Sequence, residues 1–201
     1  MEVLHRARSD WRLTGIDFSP HAVEHTRARG FQNVSAGSVD NLPADDGVFD
    51  AVISLDVLYF RGVNRERAIA EFHRVLKPGG VLILNLAAFE CLRGSHDVAV
   101  ATERRFTSGE VRSLLEGGGF EIVSVRYWNA WLFLPILLWR QISRFFVGEK
   151  TEESSSDLNA LPGLVNRGLI AMGRLDALLC GLLRIPFGTS VFSVARKTKA
   201  R

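Results

Sequence analysis

The chain has 201 residues, 47% of them hydrophobic and 23% charged, with a formal net charge of +3. That is enough for one sizeable core plus an elaboration, and the scattered basic residues lack the aromatic interleaving of a nucleic-acid platform. Cys91 and Cys180 form no CxxC pair, the five histidines show no metal-ligand spacing, and "MEVLHRARSD" is not a signal peptide, so a reduced, cytoplasmic, metal-free setting is expected.

In chain order, "WRLTGID" reads as a strand ending in Asp17, and Ser19-Pro20 supplies an N-cap and first-turn proline for a helix that stops at Gly30. "NVSAGS" is a short strand. "FDAVIS", residues 49–54, is nearly continuous apolar sequence, as expected of a strand covered on both faces. A helix begins near Asn64, with Ala68, Ile69, Phe72, Val75 and Leu76 at helical spacing, and "KPGG" then reads as a turn into the buried strand "VLILNL". Thr107 and Glu110 have the spacing of a capping box, and glycines 117–119 terminate the helix they open. "FEIVSVRYW" and "TSVFSVARK" complete the strands. Alternation of this kind predicts an α/β fold, a Rossmann-like and mostly parallel sheet with helices on both faces.

Between those last two strands lie about sixty residues, where a short connection would suffice. "WNAWLFLPILLWRQISRFF" is intensely apolar, but its uncharged run ends at Arg140, short of the ~20 residues a membrane span needs. "VGEKTEESSSD" reads as a polar linker, and residues 164–183 as an amphipathic helix with Arg167 and Arg174 among its apolar positions. The expected organisation is therefore a Rossmann-like domain from 1–128 and 187–201, with 129–186 a helical insertion or cover. Arg140 and Arg144 share one helix face, and Arg167 and Arg174 another, so peripheral contact with an anionic membrane is one expectation for this insertion. Packing of both helices on each other and on the sheet is the other.

An acid ending a strand of such a unit suits a ribose diol, although a strand-ending Asp also serves simply as a helix cap. Asp17 gains meaning from the ordered series "GIDFSPHAVEHTRARG", "GSVDNLPADDGVFDAVISLDVLYF", "RVLKPGGVLIL" and "RRFTSGEVRSLLEGGGFEIV". This series resembles the class I S-adenosylmethionine-dependent methyltransferases, in particular the type 11 methyltransferases of small-molecule and lipid metabolism. The resemblance covers residues 11 to about 128 and the final strand. It implies S-adenosyl-L-methionine as cofactor, Asp17 on its ribose, Phe18 near its adenine, and Ser38 and the Val39 backbone in the adenine loop. Ser54 and Leu55 would line the methionine portion, with Asp56 left open. Asp40 is offset from the family's adenine-loop acid by two residues and reads as a turn residue.

The family also begins with a strand and a Gly-rich loop, and only sixteen residues precede Asp17 here. The first central strand, expected between "RLTGID" and "FDAVIS", is missing, which reads as an N-terminally truncated form. For acceptors that need a base, the loop after "VLILNL" offers His96 and Asp97, with a salt link to Arg104 or Arg105 the structural alternative. The expected activity is methyl transfer to a small, hydrophobic or lipid-like acceptor. A non-catalytic fragment, pseudoenzyme or interaction module of the same fold is the alternative.

Overall fold

The computed structural model describes residues 1–94, 97–98, 100–146 and 163–198. Its elements run α1 (Glu2–Ala7), β1 (Gly15–Asp17), α2 (Pro20–Ala28), β2 (Val34–Ala36), β3 (Phe49–Leu55), α3 (Arg65–Val75), β4 (Leu76–Ala87), α4 (Ser108–Gly117), β5 (Phe120–Trp128), α5 (Ala130–Phe146), α6 (Gly163–Leu182) and β6 (Ser190–Lys197), with a 3₁₀ turn at Glu90–Leu92.

The helix starts follow local chemistry. The Ser19 side chain accepts from the Ala22 N–H ahead of α2, the Asn64 side chain from the Arg67 N–H ahead of α3, and Thr107 and Glu110 form a reciprocal box ahead of α4. Gly119, at φ +81°, turns the chain from α4 into β5, a backbone conformation that a side chain would strain.

The strands form two pieces. β1 and β2 pair in parallel, and β3, β4, β6 and β5 lie in that order in a second sheet. Within it β3 runs parallel to β4, while β6 is antiparallel to both neighbours, so β3, β4 and β5 all end at the same edge. β1 and β3, the two strands between which a central strand was expected, do not pair with each other, and each has one unpaired edge among the described residues. The "KPGG" turn proves to be a bulge at the start of β4. Phe49 pairs with Leu76 and Ala51 with Val81, so residues 77–80 loop out between those two pairings.

The core lies in the four-stranded piece. Ile69 and Phe72 of α3, Val111 and Leu115 of α4, Leu82, Leu84 and Leu86 of β4 and Val191 of β6 are all essentially inaccessible to water. β4, paired on both sides, reads as the buried strand its apolar run predicted, whereas β3 leaves Ile53 and Leu55 exposed. α5 and α6 pack on each other, α5 also on the 3₁₀ turn and α6 on β5. Their junction is polar: the buried Asp176 of α6 accepts from the Trp131 N–H at the start of α5 (3.2 Å). Among the described residues no helix is long and apolar enough to cross a membrane.

Candidate functional site

Ligands of open α/β sheets gather outside the carboxyl ends of the strands, because helix N-termini and loop amides converge there. At the end of β1, one oxygen of the exposed Asp17 accepts from the Ser19 N–H (2.8 Å), and the Asp17 carbonyl accepts from the Gly37 N–H (3.1 Å). Asp17 thus both shapes the turn into α2 and presents a carboxylate to solvent beside the loop that follows β2. Phe18 is 86% exposed, a large apolar ring with nothing covering it. In the neighbouring loop the Ser38 hydroxyl donates to Asp40 (2.5 Å), while Val39 tucks its side chain against the core. Asp40 is therefore what holds Ser38, a partnership that their two-residue separation did not announce.

At the end of β3 the expected pair divides. Successive strand residues face opposite sides; Ser54 lies in register with Leu84, and Leu55 with Asn85. Ser54 is buried and its hydroxyl has no hydrogen-bond partner among the described residues, whereas Leu55 is 53% exposed. Beyond Leu55 stands a group that sequence reasoning left open. Asp56 has φ 58°, an uncommon backbone state for a residue with a side chain. Its N–H donates to the Asn85 carbonyl (2.9 Å), and the Asn85 amide donates back to its carboxylate (3.0 Å). The Trp128 indole N–H in turn donates to the Asn85 side-chain oxygen (2.7 Å). Three strand ends thus contribute one relay, Trp128 to Asn85 to Asp56. Partial withdrawal from water pushes the Asp56 carboxyl above its ordinary pKa, with the Asn85 bond pulling the other way. Tyr59, half-buried nearby, is likewise pushed up, by burial first and then by the Asp56 charge. Asn85 and Trp128 escaped sequence reading because each sits inside a strand-like apolar run. Only the pairing across β6 brings them together.

The base candidates fare differently. His96 lies outside the described residues. Asp97 is 2% exposed and receives Arg105 through both oxygens (2.9 and 3.1 Å), with the Gly94 N–H on the second (2.8 Å). Burial alone would raise its carboxyl pKa, but the guanidinium and the amide together hold it below the ordinary carboxylate range. A carboxylate that receives three hydrogen bonds and is almost wholly buried is turned inward, away from solvent. Asp97 is a clamp on the loop after β4, and the salt-link alternative with Arg105 is the one realised. No group of three or more potential metal-ligating side chains gathers among the described residues.

Residues 1–84 match the family model of the methyltransferase domain. Over that stretch the chain is similar to methyltransferase domains. The family is one of S-adenosylmethionine-dependent enzymes, in keeping with the motif series. Relatives of this domain include the ubiquinone/menaquinone biosynthesis C-methyltransferase of Geobacter sp. strain M21, 30% identical over 42% of this chain and 38% of that protein. The malonyl-[acyl-carrier protein] O-methyltransferase of Geobacter sulfurreducens is 34% identical over 46% of this chain and 39% of its own length. The chain spans less than half the length of the curated relatives it matches. Among solved structures, geranyl diphosphate methyltransferase in complex with S-adenosylmethionine superposes with a TM-score of 0.60 at 14% identity, over 98% of this chain and 73% of that one. Phosphoethanolamine N-methyltransferase 2 of Haemonchus contortus superposes at 0.59 and 16% identity, over 98% and 46%. These superpositions show that the chain has the Rossmann-like fold its alternating elements predicted.

Proposed function

We propose that this chain is the cofactor-binding and acceptor-binding part of an S-adenosylmethionine-dependent methyltransferase. The observation that carries the reading is Asp17: an exposed carboxylate at a strand's carboxyl end, oriented by the Ser19 N–H and bordered by the loop from Gly37 to Val39. With one oxygen taken by the backbone, the other is left to accept from a ribose diol, and the exposed Phe18 ring offers a face to a purine. When bound, S-adenosylmethionine supplies a methyl group on a sulfonium, open to in-line displacement: the bond to sulfur breaks as the bond to the acceptor forms. The protein's task is alignment rather than covalent catalysis. Ser38 and Val39 shape the adenine side, and Leu55 lines the far side beside Asn85. Calorimetric titration of the wild-type protein and Asp17→Ala with S-adenosylmethionine tests the reading. A hydrogen bond to a charged group is worth about 1.5–3 kcal/mol, so the variant should bind roughly ten- to a hundredfold more weakly. Equal affinity would remove the ribose assignment.

The acceptor we take to be small and hydrophobic or lipid-like, with residues 129–186 as a cover that rests on an anionic membrane surface. α5 exposes Leu134, Leu138 and Trp139, and α6 exposes Leu175, Leu178 and Leu182, far more apolar surface than two helices packed only for stability leave to water. The exposed Arg167 and Arg174 run along α6, whose one acid, Asp176, is turned inward to cap α5. Apolar surface bordered by cations alone suits anionic headgroups. Co-sedimentation with anionic vesicles but not with neutral ones is expected, and Leu178→Ala/Leu182→Ala should reduce it several-fold. Failure to sediment with either vesicle would reject the membrane part.

A further inference from the structure

We propose that Asp56 is the counter-charge for the cofactor's sulfonium, and so the residue by which this site distinguishes S-adenosylmethionine from its demethylated product. The inference rests on the cofactor reading above. If adenine lies by Ser38 and Val39 after β2, and ribose by Asp17 after β1, the methionine arm extends toward the next strand end, that of β3. There the chain places Asp56.

Three observations single out this carboxylate. Its backbone is held in a left-handed conformation by reciprocal hydrogen bonds with Asn85, so the side chain is projected from the strand end instead of continuing the strand. Such a conformation persists in a non-glycine residue only where its surroundings over-determine it, and these backbone states gather at ligand sites. Second, the amide that holds the carboxylate is itself fixed by the Trp128 indole, so the acid is aimed by three strand ends at once. Third, no lysine or arginine among the described residues bonds to it, although arginines bind the carboxylates of Glu71, Glu90 and Asp97. An aimed carboxylate without a cation of its own is a receptor for a positive centre. A sulfonium carries that charge, but the thioether left after transfer does not. The acid would therefore hold the substrate form and loosen its grip once the methyl has gone.

Asp56→Asn is a close test, since asparagine also tolerates the left-handed backbone and its side-chain oxygen can still accept from Asn85, while the charge is removed. S-adenosylmethionine and S-adenosylhomocysteine are each titrated by calorimetry into the wild type, Asp56→Asn, Asp56→Glu and Asp17→Ala, with thermal melts confirming that each is folded. The expected result is a roughly tenfold loss of S-adenosylmethionine affinity in Asp56→Asn, unchanged S-adenosylhomocysteine affinity, and partial recovery in Asp56→Glu. Equal loss for both nucleosides would mean that Asp56 serves the part they share, and no loss for either that it faces elsewhere; both results overturn the proposal. If Asp17→Ala weakens both nucleosides while the Asp56 variants leave their ratio unchanged, this inference alone falls. If the wild type binds neither, the cofactor reading fails and this inference with it.

Discussion

The two pieces of the sheet are unequal. The four-stranded piece with α3 and α4 contains the whole principal core, whereas before Leu58 only Val23 and Val34 are buried hydrophobic residues among those described. Yet the small piece carries Asp17, Phe18, Ser38 and Val39. The residues proposed to hold the nucleoside thus sit on a thin layer of two three-residue strands and one helix, while Asp56 and Asn85 stand on the deeply buried piece. Regions that open around ligands are drawn from the parts of a fold with few buried contacts. The contrast separates a firmly packed sulfonium side of the proposed site from a compliant nucleoside side.

Leu84→Ala should break the contrast most. It empties a fully buried position in the middle of β4 and should cost about 3–5 kcal/mol in denaturant-induced unfolding, whereas Val23→Ala should act mainly on amide exchange within β1, α2 and β2. If Val23→Ala lowers global stability as much as Leu84→Ala, the two pieces unfold as one.

Asp97→Asn comes next. Removing one partner of a buried pair leaves the Arg105 guanidinium uncompensated, at about 3 kcal/mol. Because the folded pKa of Asp97 is lowered, its stabilisation is present above the unfolded carboxylate pKa and is lost as pH falls through the folded value. Urea midpoints measured between pH 7 and pH 2 should fall less steeply with acid in the variant than in the wild type. Parallel curves would show that the clamp contributes little.

The smallest effect is expected at Gly119→Ala, about 1 kcal/mol, from the positive φ alone. A shift in thermal midpoint of a few degrees, with the core intact, would sharpen the estimate of how firmly the α4–β5 turn is built.

Much of this was legible in sequence because it is local. Ser19, Asn64 and the Thr107–Glu110 pair announce helix starts through spacings of three residues, and the apolar run of β4 announces burial. The bulge at 77–80 was hidden because a turn and a bulge draw on the same Pro and Gly residues, and only pairing with Phe49 and Ala51 distinguishes them. In the site, Asp17 was legible as a strand-ending acid, while Asp97 allowed two readings, base candidate or salt link, and only the folded chain shows its ion pair with Arg105, eight residues on. The Asp56–Asn85–Trp128 relay joins residues 29 and 43 positions apart, beyond the reach of any periodicity.

The place of β6 sets a timetable for the newborn chain. It comes last in chain order among the described strands, yet it stands between β4 and β5, which do not pair with each other. Its Lys197 ammonium also reaches back to the carbonyls of His73 and Leu76, 124 and 121 residues earlier. On the ribosome, β4 must therefore wait with one edge open, and β5 without the strand it pairs with, until residues 190–197 emerge to fill the slot between them. Such late, distant pairing slows folding and leaves strand edges uncovered meanwhile. A chain halted before Ser190 would hold every residue of the proposed site and still lack the strand that brings Trp128 to Asn85.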